Sequence, residues 1–259
     1  MLANDVAQMR LIASDVDGTL TCSDRFTPRL LEAIAHLTQA NLPLLLVTGR
    51  SAGWVDALRN YLPVVGAIAE NGGVFFPKHG PYQLLGDFPP LSTHRQHLSD
   101  AFLRLQQQYP QLQASTDNVF RLTDWTFDVA GLSEGELEAI ALQCQAWGWS
   151  FTYSTVQCHI KPKLQNKAWG IQQVLTQHFP HLNPAQVLTV GDSPNDEAMF
   201  DPDIFPVSVG VANFLEYVDR LQHPPQYVTT QSEVDGFCEL ANLLCKKTKI
   251  GRASCRERV

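Results

Sequence analysis

Long hydrophobic runs are missing from this chain of 259 residues. No apolar stretch approaches the roughly 20 residues that a helix needs to cross a bilayer. The segment 1–10 carries Asn4, Asp5 and Gln8 where a signal peptide would be apolar. Apolar residues make up 44% of the chain and charged residues 17%, an ordinary globular balance. We therefore expect a cytoplasmic protein of one large or two modest domains, with no membrane partner.

Basic charge is also scarce. Lys and Arg number 19 against 26 Asp and Glu, which gives a formal net charge of −7. Nucleic-acid binding draws much of its affinity from Lys and Arg that displace counterions, so we expect no nucleic-acid partner. A small phosphorylated substrate is not excluded, because only the local field of a cleft acts on it.

Cysteine is present but shows no pattern of use. The six residues form no CxxC pair and no metal-ligand spacing: Cys22, Cys144, Cys158, Cys238, Cys245 and Cys255. This distribution predicts buried free thiols in a reducing compartment rather than a disulfide framework.

The C-terminal segment 249–259 differs from the rest of the chain. It reads KIGRASCRERV, which resembles the translation of a common sequencing adapter. We interpret it as read-through that begins near Thr248, expect it to be disordered and exclude it from fold reasoning. A genuine basic tail is the alternative interpretation.

Buried strands alternate with amphipathic helices in the first third of the chain and again after Asn166. The apolar runs predict strands at 11–14, 43–47, 64–69, 187–190 and 207–209. Helices are predicted from Thr27-Pro28 onward, with Thr27 as the N-cap, and at 51–61, 167–178, 194–200 and 232–245. Buried strands joined by helices favour the α/β class, with a parallel sheet of βαβ units.

The segment between these two α/β parts has a different order of predicted elements. The pattern predicts a helix at 92–109, a strand at 119–129, a helix after the capping box Ser133–Glu136, and strands at 149–153 and 156–160. This order is typical of an α+β module. We predict that residues 81–161 form a domain inserted into a core built from 1–80 and 162–248.

Asp15-Val16-Asp17-Gly18-Thr19 follows the first predicted strand. In an open α/β sheet, ligands bind at the carboxyl ends of the strands. Two carboxylates in a tight turn allowed by Gly18 suit a hard cation that prefers oxygen ligands. The alternative is a solvated acidic turn that caps a helix.

Three further segments occupy equivalent places. Thr48-Gly49-Arg50 follows the second strand and precedes a helix, as an oxyanion site would. Lys167 begins a helix after the insert, although Lys161 and Lys163 nearby are competing candidates. Gly191 to Asp196 reads GDSPND after another buried strand, and its acidic and amide side chains could complete a magnesium site. Four such segments in order are far more specific than any one alone.

These four segments resemble the motifs of the haloacid dehalogenase superfamily of phosphatases. The resemblance extends nearly to Cys245. The ENGG of 70–73, Val228-Thr229 and Asp235-Gly236 are similar to the Cof-like branch, subfamily IIB, with a C2-type cap. DVDGTLT, ENGG and GDSPND are also similar to archaeal phosphoglycolate phosphatases and sucrose-phosphatase-like proteins. The resemblance implies a Rossmann-like parallel-sheet core with an inserted α+β cap domain.

The resemblance also implies a role for each catalytic residue. Asp15 would be the nucleophile that forms an aspartyl-phosphate. Asp17 would protonate the leaving alcohol and then activate the hydrolytic water. Thr48 and Lys167 would hold the transferring phosphoryl oxygens.

The implied cofactor is Mg²⁺. Its ligands would be Asp15, the main-chain carbonyl of Asp17, and Asp192, with Asn195 and Asp196 supporting that shell. An anionic nucleophile is repelled by an anionic ester unless a cation lies between them, which is the physical reason for the metal.

The insert would select the leaving group. Expected substrate-binding residues are Gly49, Arg50, Asn71 and Arg121. Arg121 could meet a substrate carboxylate or a second anionic group. The other cap candidates are Asp124, Trp125, Tyr153 and His159.

The predicted function is hydrolysis of a small organic phosphate, such as a sugar phosphate or phosphoglycolate, by a monomer or homodimer. Phosphoryl transfer to another acceptor, as in a phosphomutase, would retain the same nucleophile and stays open. A noncatalytic phosphometabolite-binding module is the third alternative, and the intact Asp15, Asp17, Lys167 and Asp192 speak against it.

Overall fold

The computed structural model of the chain describes residues 6–154 and 156–256, with side chains described up to residue 246. The α-helices of this part are α1 (Pro28–Gln39), α2 (Ala52–Tyr61), α3 (Leu91–Gln108), α4 (Glu134–Ala146), α5 (Lys167–His178) and α6 (Glu233–Arg256). The strands are β1 (Leu11–Ser14), β2 (Leu44–Val47), β3 (Gly66–Ala69), β4 (Val74–Pro77), β5 (Gln83–Leu84), β6 (Trp125–Asp128), β7 (Trp149–Tyr153), β8 (Gln157–Pro162), β9 (Val187–Gly191), β10 (Val207–Gly210) and β11 (Tyr227–Val228). None of the helices in these ranges is long and apolar enough to span a membrane.

An eight-stranded sheet in the order β11-β10-β9-β1-β2-β3-β4-β5 forms the larger layer. The strands from β11 to β3 run parallel, whereas β4 and β5 are antiparallel additions at one edge. Strands β1 and β2 pair with Ile12 opposite Leu44. Both strands are buried along their whole length, as their uninterrupted apolar sequences require. The predicted α/β class with a parallel-dominated sheet is confirmed.

The helices that flank this sheet follow their sequence signals. Thr27 Oγ1 accepts a hydrogen bond from the backbone N–H of Leu30 at 3.3 Å, and Pro28 occupies the first turn of α1. Leu30, Ile34 and Leu37 recur on one face and are buried. This face joins a cluster that also contains residues of α6, so α1 and α6 cover one side of the sheet together.

A second sheet, in the antiparallel order β6-β8-β7, has its own apolar cluster. Phe127, Cys158 and Ile160 of this sheet pack with Phe102 of α3 and Ile140 of α4. The elements occur in the α-β-α-β-β order expected for the insert, and its boundaries stay a prediction. Strand β5 belongs to the large sheet, which therefore extends past residue 80.

The strand predicted at 119–129 is wrong in its first half. Residues Thr116–Phe120 form a 3₁₀ helix, and only Trp125–Asp128 pairs as a strand. The backbone N–H groups of Leu122 and Thr123 donate to the carboxylate of Glu70 in the other layer rather than to a neighbouring strand. A long-range contact therefore overrides the local alternation.

The cysteines are free, but the expectation that all are buried is not met. Cys144, Cys158 and Cys238 are buried, whereas Cys22 is exposed. Burial raises the pKa of the Cys144 thiol to about 12, so this thiol stays protonated at neutral pH. Cys255 lies outside the described side chains.

The segment interpreted as read-through is described only in part. Helix α6 continues through Arg256, which differs from the disorder expected from residue 249 onward. The side chains after residue 246, and residues 257–259 altogether, lie outside the described residues. The interpretation of 249–259 stays a prediction.

A close approach between two glycines sets the position of α5. A Cβ atom on Gly170 would lie 2.6 Å from Gly72 Cα. Gly72 itself has a φ of +102°, and a Cβ there would lie 2.1 Å from the Asn166 carbonyl oxygen. Because α5 begins at Lys167, this contact also places the Lys167 side chain against the sheet.

We predict that Gly170→Ala lowers the free energy of unfolding by about 1–3 kcal/mol, because the added methyl group must push α5 away from the turn at Gly72. Denaturant unfolding measures the change. The matched control is Gly135→Ala in α4, where a Cβ atom meets nothing within 4 Å. There the stability should be unchanged or raised by up to about 1 kcal/mol. Equal effects of the two substitutions would contradict the packing argument.

Candidate active site

The carboxyl ends of three adjacent parallel strands bring the acidic and hydroxyl residues together. Asp15 follows β1, Thr48 follows β2 and Asp192 follows β9, and these strands are neighbours in the sheet. Carboxylate oxygens of Asp15, Asp192 and Asp196 lie within 4.8 Å of one another, and all three residues are buried. The topology therefore converts residues separated by up to 181 positions (196 − 15) into one site.

Lys167 lies between two of these carboxylates. Its Nζ is 2.5 Å from Asp15 Oδ1 and 2.5 Å from Asp196 Oδ1, and its side chain is fully buried. Burial alone would lower the pKa of Lys167, but the two carboxylates outweigh it and raise the pKa above its ordinary value. The ammonium is therefore charged at neutral pH. The competing candidate Lys161 instead donates to Ser150 Oγ and the Gln165 carbonyl.

The remaining negative charge favours a cation. Burial raises the pKa of Asp15 to about 7, helped by repulsion from Asp196 and Asp17 and opposed by Lys167. Burial and repulsion from Asp15 and Asp196 likewise raise the pKa of Asp192 well above its usual range. Three buried carboxylates against one ammonium leave an excess of negative charge that a divalent cation would neutralise. All the ligand atoms are oxygens, so the donor set fits a divalent metal of the hard class.

Two acidic residues of the GDSPND loop have different partners. Asp192 accepts hydrogen bonds from Thr19 Oγ1 at 3.0 Å and Asn213 Nδ2 at 2.9 Å. Asp196 Oδ2 accepts from the backbone N–H groups of Asp192 and Ser193. Asp196 thus holds the loop and Lys167, which matches a supporting position better than a direct metal contact. Asn213 also donates to the Gly18 carbonyl and was missed, since nothing local marks it.

Asp17 is held by an ion pair that the sequence did not predict. Arg50 Nε donates to Asp17 Oδ2 at 2.9 Å, and a terminal nitrogen donates to Oδ1 at 2.7 Å. The guanidinium also lies over the Trp54 ring, 4.9 Å from its centroid. Arg50, expected at the substrate, is therefore next to the pocket but engaged with Asp17.

Gly49 lies where the two layers converge. A Cβ on Gly49 would lie 3.1 Å from Asn71 Nδ2 and 3.2 Å from His159 Cε1, so only glycine leaves this space open. Asn71 Nδ2 is buried with no hydrogen-bond partner in the described part of the chain. Thr48 Oγ1 accepts from the Arg50 backbone N–H at 3.1 Å, which leaves its own hydrogen for another acceptor. Unused donors at this point suit a bound anion.

A narrow pocket opens onto these groups, with the smaller sheet as its roof. Its walls from the large sheet include Asp15, Asp17, Thr48 and Asn195, and those from the roof include Gln157 and His159. A concave site lined by a few convergent polar groups is typical of a small-molecule site.

Glu70 connects the two layers and was not identified as such from the sequence. Its carboxylate accepts from the backbone N–H of Ala52 and of Leu122, and from both the N–H and the hydroxyl of Thr123. The residue is fully buried and has a φ of +54°. The ENGG turn therefore connects the insert to the core through the Glu70 carboxylate.

Arg121 does not occupy the substrate position expected for it. Its NH1 donates to the Gly49 carbonyl and to Asp124, its NH2 to Asp117 and Gln157, and its Nε to Asp117. All five N–H groups are used and the side chain is fully buried. Arg121 is a structural connector beneath the pocket.

The other cap candidates are divided between the two faces of the small sheet. His159 lines the pocket, and Asp124 is buried behind it. Trp125 packs against Phe102, and Tyr153 belongs to the same apolar cluster. Only His159 of this group reaches the pocket.

Comparison with known proteins agrees with this geometry. The family profile described as haloacid dehalogenase-like hydrolase matches residues 12–85, which contain the DVDGT and Thr48-Gly49-Arg50 segments. Over these residues the chain is similar to haloacid dehalogenase-like hydrolases. The profile match and the phosphatase-named relatives support a phosphatase of this type that acts on small phosphate esters. A phosphoglycolate phosphatase of Thermoplasma volcanium is 27% identical over 199 residues, which cover 76% of this chain and 83% of that relative.

Solved structures show the same fold. A Thermoplasma acidophilum protein superposes with a TM-score of 0.73 at 22% identity, over 91% of this chain and 98% of the other. The sucrose-phosphatase of a Synechocystis species, solved with sucrose and phosphate, gives a TM-score of 0.67 at 17% identity, over 92% and 98%. Enzymes of this superfamily generally use a divalent metal, in keeping with the buried carboxylates of Asp15, Asp192 and Asp196.

We predict that Arg121→Met lowers the free energy of unfolding by about 3–5 kcal/mol, because it leaves the buried Asp124 without its cation. Thermal or denaturant unfolding measures this loss. Arg25→Met, at an exposed position before α1, is the control and should change stability by less than about 0.5 kcal/mol. Unchanged stability of Arg121→Met together with a raised KM would restore the substrate role instead.

Proposed function

We propose that this chain is a Mg²⁺-dependent phosphomonoesterase that works through an aspartyl-phosphate on Asp15. The observation that carries the proposal is the contact of Lys167 with Asp15 at the carboxyl end of β1, facing the pocket. The buried carboxylate would serve as the nucleophile, and the fixed ammonium beside it would attract the anionic substrate.

Mg²⁺ would be held by Asp15, Asp192 and the main-chain carbonyl of Asp17, and when bound it supplies positive charge between nucleophile and ester. Asp196 and Asn195 would support these ligands. Asp196 is already fixed by the Asp192 and Ser193 N–H groups, and Asn195 accepts from Ser193 Oγ at 2.6 Å. Thr19 and Asn213 orient Asp192 from the other side.

The first chemical step forms a bond from an Asp15 carboxylate oxygen to phosphorus. The bond from phosphorus to the ester oxygen breaks, and Asp17 donates its proton to the leaving alkoxide. In the second step the Asp17 carboxylate takes a proton from water, and the water oxygen attacks phosphorus. The acyl-phosphate bond breaks, inorganic phosphate leaves and Asp15 is restored.

The phosphoryl group would be held by donors that the structure leaves unused. These are the hydroxyl of Thr48, the amide nitrogen of Asn71 and the third N–H of Lys167. Arg50 would turn from Asp17 to a phosphoryl oxygen when substrate binds, and this exchange frees the Asp17 carboxyl group for proton transfer. Positioning and charge neutralisation are the main requirements of phosphoryl transfer.

The proposed substrate is a small organic phosphate, either a sugar phosphate or phosphoglycolate. The narrow polar pocket supports a small ester, and relatives named as phosphoglycolate phosphatase and sucrose-phosphatase support these two classes. The chain would bind the ester between the strand ends and the roof formed by β8.

We predict that the chain releases phosphate from at least one ester in a panel of sugar phosphates and phosphoglycolate, and only with Mg²⁺. Asp15→Asn should lower kcat by at least about 10³-fold, because the amide cannot form the acyl-phosphate. Phosphate release with and without EDTA is the measurement. Asp203→Asn, at an exposed position far along the chain, should retain full activity.

Two results would contradict this assignment. Release that persists in Asp15→Asn would exclude the covalent route. Turnover that requires an added alcohol or sugar acceptor would show a phosphotransferase rather than a hydrolase.

We also predict that Mg²⁺ raises the melting temperature of the wild type and not that of Asp192→Asn. A ligand present at about 100 times its Kd stabilises a protein by about 2.7 kcal/mol. Asp192→Asn should be no less stable than the wild type without metal, since it removes one of three mutually repelling buried carboxylates. A thermal melt with and without MgCl₂ tests both statements, and an equal Mg²⁺ shift in the variant would exclude Asp192 as a ligand.

A further inference from the structure

Strand β8 presents two chemically different faces. It is the central strand of the small sheet, where Cys158 and Ile160 point into the apolar cluster between α3 and α4. Successive side chains of a strand point to opposite faces, so Gln157, His159 and Lys161 point the other way. This polar face turns toward the large sheet, and His159 lines the pocket there.

The ring of His159 is held in one tautomer. Its Nδ1 lies 2.8 Å from Asp124 Oδ2. An ionised carboxylate only accepts hydrogen bonds, so Nδ1 must carry the hydrogen. Burial of Asp124 would raise its pKa, but Arg121 and His159 together lower it, and Asp124 is therefore ionised. The hydrogen bonds from Arg121 to Asp124 and from His159 to Asp124 fix both the orientation and the tautomer of the imidazole.

The other nitrogen of His159, Nε2, makes no hydrogen bond within the described part of the chain, although the residue is only 2% exposed. Burial lowers the pKa of His159, with Arg121 and Lys161 acting in the same direction and Asp124 opposing them. The ring is therefore neutral at neutral pH, and Nε2 carries a lone pair. His159 lines the pocket, and its Cε1, the ring atom next to Nε2, lies near Gly49.

The cations around the pocket are already committed. Arg121 has no free N–H group, and Lys161 donates to Ser150 and the Gln165 carbonyl. Arg50 is the one basic side chain among the pocket-lining residues that the structure describes, and its proposed partner is the phosphoryl group. A carboxylate on the leaving group would therefore face the lone pair of His159 with no cation to neutralise it. A hydroxyl group in the same place would donate to that lone pair.

We propose that His159 is the specificity-determining residue of the cap, whose Nε2 accepts a hydrogen bond from a hydroxyl group on the leaving alcohol, and that Asp124 is the positioning residue that keeps Nε2 free to accept. The inference rests on the proposed phosphatase function. It selects hydroxyl-bearing phosphate esters over carboxylate-bearing ones of the same size. The substrate class is therefore decided by the tautomer of one imidazole.

Three phosphate esters of nearly equal size separate these cases. They are 2-hydroxyethyl phosphate, ethyl phosphate and 2-phosphoglycolate, which carry a hydroxymethyl, a methyl and a carboxylate group on the carbon bonded to the ester oxygen. For the wild type with Mg²⁺, kcat/KM should be at least about tenfold higher for 2-hydroxyethyl phosphate than for either of the others, the effect of one hydrogen bond in a buried site.

The His159→Ala variant should lose this preference. Within this variant, kcat/KM for 2-hydroxyethyl phosphate should fall to nearly the value for ethyl phosphate. A general structural defect would lower both esters alike, so the ratio within one variant isolates recognition from folding. His79→Ala, at an exposed position that does not line the pocket, is the matched control and should keep the wild-type ratio.

The Asp124→Asn variant tests the positioning role of Asp124. In this variant the preference between the esters should shift in the opposite direction rather than disappear. An amide can donate to Nδ1, which moves the ring hydrogen to Nε2 and converts the acceptor into a donor. The preference should then shift from 2-hydroxyethyl phosphate toward 2-phosphoglycolate. If Asp124→Asn melts too early to assay, the ratio in His159→Ala still decides whether His159 recognises the hydroxyl group.

The outcomes distinguish this inference from the function on which it rests. A wild type that prefers 2-phosphoglycolate, or a His159→Ala variant with an unchanged ester ratio, overturns the role of His159 and leaves the phosphatase intact. Absence of Mg²⁺-dependent release from these three esters and from the sugar phosphates, with folded wild-type protein, overturns the phosphatase proposal and the role of His159 with it.

Discussion

The ammonium of Lys167 lies between the carboxylates of Asp15 and Asp196, and the rest of the site is arranged around this buried contact. Separation of these charges would leave anions in a region without solvent, which is costly. The contact needs α5 close to the carboxyl edge of the sheet, and the approach of Gly170 to Gly72 permits that distance. The packing of α5 against the turn at Gly72 and the ion pairs of Lys167 therefore depend on the same close approach.

A second buried charge cluster organises the roof. Arg121 joins Asp124 and Asp117 and reaches across to the Gly49 carbonyl, while Glu70 holds the backbone of residues 122–123 from the core side. The roof cluster reaches the core at the Gly49 carbonyl, and Gly49 lines the pocket beside Thr48 and Asp15. These contacts are buried and hydrogen-bonded, so polar groups position the roof relative to Asp15, together with the packing of Leu122 on the core cluster.

Local pattern predicted most of the large sheet, and it failed where distant residues compete for the backbone. Helix α5 was predicted at its observed bounds, because capping by Asn166 and the apolar stripe agree. The alternation at 119–129 looked equally regular, yet the N–H groups of Leu122 and Thr123 bond to Glu70 instead of a strand. Asn118, which bonds to Ser115 and Thr126, bends the same segment into a 3₁₀ turn. Glu70 lies 52 positions before Leu122, so a window of neighbouring residues does not reveal this contact.

The amino-acid sequence by itself determined the α/β core and the order of its functional segments, because strand, loop and helix start repeat at Asp15, Thr48 and Asp192. It could not determine partners. The pairing of Arg50 with Asp17 and the use of Arg121 within the protein depend on residues that are close only after folding. The free Nε2 of His159 likewise depends on which nitrogen Asp124 takes. Composition and spacing set which groups are available, and only tertiary structure decides which of them remain unpaired at the pocket.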